Sequence, residues 1–108
     1  MKDMNFSEVV ERSVQIRKLY HHLEQQYHGK EWTVEEDALA FLTDAGLVGR
    51  LTMSQQGRWP TNGETVSELE HKLGECIWWI IILAERMNIN ISEALEKFLF
   101  KTEENLGK

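Results

Sequence analysis

The nine residues Cys76 to Ala84, CIWWIIILA, put large apolar side chains around the full circumference of any helix they form. No other stretch constrains the chain as much, because a surface helix needs only one apolar stripe. The run is far short of the roughly 18 to 20 residues that a membrane span requires. It therefore belongs inside protein, and no membrane partner is expected. The other helices of a 108-residue chain cover one or two faces of such a helix. Homo-oligomerisation, to a homodimer or a tetramer, buries the rest. The alternative is a central helix wrapped on all sides within one small bundle.

Around this run the sequence reads as helices throughout. Three starts carry the same device, a side-chain oxygen at the N-cap and a Glu three residues later that reaches back to the cap's amide. They are Thr33 with Glu36, Thr65 with Glu68 and Asn90 with Glu93. Asn5 with Glu8 is a fourth, where Ser7 competes for the cap. In the first segment Phe6, Val9, Val10, Val14, Leu19, Tyr20, Leu23 and Tyr27 recur at helical steps, and Gly29 ends it. The second runs from Val34 through Ala38, Leu39, Phe41, Leu42, Ala45 and Val48 to Leu51, with Gly46 and Gly49 as weak points. Gly57, Pro60 and Gly63 then make a loop of Ser54 to Gly63. The third helix spans about Val66 to Met87. The fourth spans Ile91 to about Leu99, with Ala94, Leu95, Phe98 and Leu99 inward, and leaves residues 102–108 as a tail without fixed order. The fold class is all-α, in one domain of residues 1–108.

Charge and cysteine content narrow the function classes. Twelve Lys and Arg against eighteen Asp and Glu give a net charge of -6, which disfavours a polyanion, so nucleic acid is not an expected partner. The lone Cys76 makes neither an internal disulfide nor a CxxC clamp. The N-terminal MKDMNFSEVVERS has no apolar run of a signal peptide. A cytoplasmic protein is expected.

Two short strings carry a resemblance. Leu42-Thr43-Asp44-Ala45-Gly46-Leu47-Val48 lies on the second helix. Lys72-Leu73-Gly74-Glu75-Cys76-Ile77-Trp78-Trp79 lies on the third and is followed by Met87-Asn88-Ile89-Asn90-Ile91 and Glu93-Ala94-Leu95. In order and spacing these resemble the MazG-like, all-α nucleoside triphosphate pyrophosphohydrolases, over about residues 33–106. That family shows L-x-E-E-x-G-E-L, then E-L-G-D-x-x-W, then a short I-D-L turn and an A-L-containing helix. The resemblance implies a four-helix MazG-like bundle completed by homodimerisation. It also implies two acidic pairs on facing helices that hold Mg2+, which clamps a triphosphate and activates water for attack between the α and β phosphorus atoms.

Position by position, the first acidic pair becomes Asp44 and Leu47, and the second becomes Lys72 and Glu75. Leu47 has no ligand atom. Lys72 puts an ammonium where a carboxylate belongs, and at i+4 from Glu68 and i-3 from Glu75 it is spaced to pair with both. The metal candidates are thus Asp44 and Glu75, with Glu68 as a further one, and Mg2+ is the cofactor if the protein is active. Expected is a fold with weak or no hydrolysis, kept for nucleotide binding or for structure. In that role Lys72, Arg50 and Arg58 meet phosphate charge, and Trp59 or Trp32 stacks on a base. An active pyrophosphohydrolase would instead recruit displaced ligands such as Glu35, Glu36, Asp37, Glu64 or Glu68 around Asp44 and Glu75.

One competing fold remains. Phe41 to Arg50 also reads as the end of a winged-helix recognition helix, with LTMSQQGRWP as a wing hairpin, although the negative charge opposes DNA binding. His21 and His22 are adjacent and diverge by about 100° on a helix, and His28 and His71 lack an HExxH or Cys partner. All four are expected to be solvated or half-buried.

Overall fold

The structure is a computed structural model and describes residues 3–59 and 65–107. It contains four helices: α1 (Phe6–His28), α2 (Val34–Gln55), α3 (Thr65–Arg86) and α4 (Ile91–Leu106). No strand occurs among the described residues. The wing hairpin is therefore corrected: Leu51 to Gln55 complete α2, and Gln56 follows with its N–H still bonded to Thr52 O at 3.0 Å. The apolar period of α2 carries the helix past Ser54, where a loop was expected.

The caps explain where the helices begin. Asn5, rather than Ser7, caps α1: its Oδ1 accepts from Glu8 N at 2.9 Å, and its own N–H donates to Glu8 Oε1 at 3.3 Å. Thr33 and Glu36 make the same reciprocal pair at α2, at 3.1 and 2.8 Å. Asn90 Oδ1 accepts from Glu93 N at 3.0 Å at α4. Each cap satisfies an N–H group that the first helical turn leaves without a carbonyl, and at Asn5 and Thr33 the Glu side chain closes a full box. Thr65 departs from the pattern, since it is itself the first residue of α3 and its hydroxyl meets that of Ser54 at 3.2 Å. Gly29 closes α1 in the left-handed region, φ 79°, with its N–H on Gln25 O.

The chain divides into two compact units. One is Trp32–Leu83, which holds α2 and most of α3. Its buried apolar residues are Leu51, Trp79, Ile81 and Ile82, and buried with them are the carboxylates of Asp37 and Asp44. The other comprises the residues up to Glu31 and those from Ala84, with α1, the last turn of α3 and α4. Ala84, Ser13 and Arg17 are buried there. Ser13 Oγ donates back to Val9 O at 2.7 Å, and Arg17 pairs with Glu24.

Several apolar positions expected to face inward do not. Along α1, Phe6, Val9, Val10 and Val14 are half-buried, whereas Leu19, Tyr20, Leu23 and Tyr27 are exposed. Helix α4 has no buried residue, so Leu95, Phe98 and Leu99 are all exposed. It also continues through Leu106, because the 3.6-residue period from Ile91 through Leu95, Phe98, Leu99 and Thr102 reaches Leu106 across KTEENLGK. Within the apolar run, Trp79, Ile81, Ile82 and Ala84 are buried, Trp78 is half-buried against Trp79, and Ile77 and Ile80 stay exposed.

Candidate functional site

The site lies within the unit Trp32–Leu83, on facing surfaces of α2 and α3. Helical spacing builds it. Asp44 lies midway along α2, while Lys72, Glu75 and Trp79 occupy one face of α3 at i, i+3 and i+7. Lys72 Nζ donates to Asp44 Oδ1 at 3.0 Å and to Glu75 Oε1 at 2.9 Å. The other Asp44 oxygen, Oδ2, accepts from Trp79 Nε1 at 2.9 Å. The Asp44 side chain is 13% exposed, that of Lys72 26% and that of Glu75 28%, so the cluster is sheltered without being sealed.

Three of the residues singled out in the sequence thus converge, and their chemistry is that of a closed ion-pair triad. One ammonium lies between two carboxylates, and the more buried carboxylate also receives the indole N–H. Hydrogen bonds to Glu75 and then Asp44 raise the Lys72 pKa above its ordinary 10.5, against a smaller opposing effect of burial. Cys76, half-buried beside the triad, has its thiol pushed up by burial first and then by the Asp44 and Glu75 carboxylates. A thiol so shifted is a poor nucleophile at neutral pH. His71 Nε2 lies 3.8 Å from Glu75 Oε1 at the exposed edge.

The remaining candidates lie elsewhere. Glu68 is exposed on α3, and the Lys72 ammonium reaches across to Asp44 on α2 rather than back along its own helix to Glu68. Leu47, at the carried-over ligand position, is exposed. Glu35 is exposed, Glu36 is held in the α2 capping box, and Asp37 is fully buried. Glu64 lies outside the described residues.

Arg50 and Trp59 form a second group where α2 ends. The guanidinium carbon is 5.0 Å from the Trp59 ring centroid, and Nη1 donates to Trp59 O at 3.4 Å. This cation–π contact engages the aromatic face offered to a base and the charge offered to a phosphate. Arg58 is exposed in the turn and bonds Met53 O through its backbone N–H at 2.9 Å. Arg50 is six residues beyond Asp44, about 9 Å along the axis and a third of a revolution round. Those three residues therefore do not join the triad. Trp32 borders a separate shallow hollow of about 250 Å3 with Glu36, Leu39, Ala40 and Thr43. A larger hollow, about 690 Å3, belongs to the other unit, where Phe6, Val10, Val14, Ile89 and Ile91 line it.

Sequence reasoning missed the Trp79 indole as a partner of Asp44. The i, i+7 relation of Lys72 to Trp79 was the available signal, but the surrounding IWWIII reads as purely apolar. Among the described residues no three His, Cys, Asp or Glu side chains gather into a group that could hold a metal ion, and no helix is long and apolar enough to cross a membrane. No family model, no curated protein and no solved structure matches the chain.

Proposed function

We propose that this is a cytoplasmic, self-associating, MazG-like four-helix bundle whose metal site has been replaced by an internal ion-pair triad, leaving a nucleotide-binding or structural protein with weak or no pyrophosphohydrolase activity. The observation that carries the reading is the Lys72 ammonium lying between Asp44 and Glu75. The two carboxylates best suited to a hard cation by position already neutralise a resident one, and a dication entering there would have to displace the lysine from both. If the protein is active, Mg2+ is the cofactor, and Asp44 and Glu75 would hold it once Lys72 has swung away.

The direct test is pyrophosphate release from a panel of ribo- and deoxyribonucleoside triphosphates with Mg2+ and Mn2+. The expected outcome is turnover no faster than a chelated control. Metal-dependent turnover would overturn the reading in favour of a pyrophosphohydrolase with altered ligands. A second arm uses Leu47→Glu with Lys72→Glu, which restores four acids at i and i+3 spacing. It should gain Mg2+ affinity that the parent lacks, and equal Mg2+ titrations of the two would remove the argument from Lys72.

Self-association is supported by the outward stripe of α3, where Val66, Leu73, Ile77 and Ile80 share one face and are all exposed. Light scattering should therefore give at least twice the chain mass for the parent. Ile77→Lys should weaken association tenfold or more, because it buries an unpaired charge at the contact. A monomeric parent would sink this part of the proposal.

A further inference from the structure

The second charged cluster lies in the other unit and has an irregular feature. Arg17, His21 and Glu24 follow one another at i, i+4 and i+7 on a single face of α1. Arg17, 4% exposed, donates to both Glu24 oxygens at 2.8 and 3.4 Å. Beyond the left-handed Gly29, the chain folds back so that Glu31 straps the last turns of the helix. Its Oε2 accepts from Gln25 Nε2 at 2.9 Å, and its Oε1 lies 3.6 Å from His21 Nδ1. The His21 side chain is only 19% exposed, and its Nε2 is buried without any hydrogen-bond partner.

An orphaned ring nitrogen calls for a physical account, since buried polar atoms are nearly always bonded. With its single proton on Nδ1, facing Glu31, a neutral imidazole leaves only a lone pair at Nε2, the less costly way to go unsatisfied. Protonation would put an N–H there with no acceptor and a positive charge in a sheltered place. The charged groups facing the ring are Arg17 and Glu24 on α1, Glu31 beyond it and Arg86 at the end of α3. The two acids attract an imidazolium and the two guanidinium groups repel it.

From this geometry we infer that His21 is the trigger of an acid-sensitive latch. As neutral imidazole it lets Glu31 strap the last turns of α1, and on protonation the ring leaves its buried position and frees Gly29 to Glu31 from the helix. Burial lowers the His21 pKa from 6.5, with Arg17 the next cause and Arg86 a smaller one, against Glu31 and Glu24. The unfolded chain therefore takes up a proton that the folded chain resists. This contribution to stability is complete above pH 6.5 and is lost as pH falls below it toward the folded value.

The test is an NMR titration of the imidazole resonances of the full chain between about pH 8 and pH 5, the range in which histidine charges, with the urea-unfolded chain as reference. The expected result is a His21 midpoint below its unfolded value, with the amides of Gly29, Lys30 and Glu31 changing at the same pH. A His21 midpoint at or above the unfolded value, or amides that ignore it, would overturn the latch. A second measurement uses His21→Phe, which keeps a flat ring and removes the proton site. Its urea midpoint should fall less than the parent's between about pH 7.5 and pH 5, and an equal fall in the two proteins also counts against the proposal.

Discussion

The two charged clusters show how the same residue types give opposite behaviour. In the unit Trp32–Leu83, one ammonium, two carboxylates and an indole N–H satisfy one another across two helices. In the other unit, Arg17, Glu24, His21 and Glu31 are also drawn together, but Nε2 of His21 is left over. In the first cluster the lysine is bonded to both carboxylates and holds its proton more tightly than usual, so it acts as a fixed clamp. The second contains a histidine whose protonation has nowhere to go, so it is poised to respond. Sheltered charge is rigid when every atom has a partner and labile when one lacks it.

That contrast can be broken most severely at Asp44. Asp44→Ala removes the acceptor of both Lys72 and Trp79, stranding a sheltered ammonium and an indole N–H, and should cost about 3 kcal/mol in urea unfolding at neutral pH. A loss below about 1 kcal/mol would mean that the cluster behaves as a surface pair and the comparison fails. Lys72→Met should cost somewhat less, about 2 kcal/mol, because each carboxylate loses its cation but keeps some access to water. The two changes should be strongly non-additive in a double-mutant cycle, since they remove one shared interaction.

The pH dependence sharpens the contrast on opposite sides. Because the Lys72 pKa is raised, the stabilisation by the triad is fully present below 10.5 and disappears only as pH climbs through the higher folded value. Parent and Lys72→Met should therefore differ by a constant amount through neutral pH and converge in alkali. The His21 contribution, smaller than either triad substitution, should fade on the acid side of 6.5 and be missing in His21→Phe. The smallest expected effect is a gain. Gly46 lies inside α2, two residues from Asp44, with open space where a Cβ would stand. Gly46→Ala should stabilise by about 0.5 to 1 kcal/mol through helix propensity. It should leave the pH response of His21 unchanged, and its unfolding midpoints across pH check both points.

Local features were the most legible. The reciprocal caps at Thr33 and Asn5, the Asn90 cap and the Gly29 stop each depend on residues three or four apart, and such rules operate inside one turn of backbone. The boundaries that slipped were those where a local cue met a longer period. Ser54 reads as the edge of a loop, yet the apolar rhythm of α2 runs on to Gln55, and KTEENLGK reads as a tail, yet the stripe of α4 continues to Leu106. The winged-helix alternative, which read Phe41 to Arg50 as a recognition helix and LTMSQQGRWP as a wing, falls because no strand occurs among the described residues and Leu51 to Gln55 continue α2.

By itself the sequence determined four helices and the caps at Thr33 and Asn90. Periodicity and capping depend on neighbours in the chain, and these are written in order along it. The spacing of Lys72 allowed it to pair with Glu68 as well as Glu75; only the tertiary structure decided that it turns to Asp44, 28 residues away, and that Trp79 shares the same carboxylate. It also decided that Arg50 is engaged by Trp59 and that His21 is sheltered beneath a strap from Glu31. Each of these depends on which helix face meets which. That is settled by packing over long stretches of chain, where many registers satisfy the same local pattern.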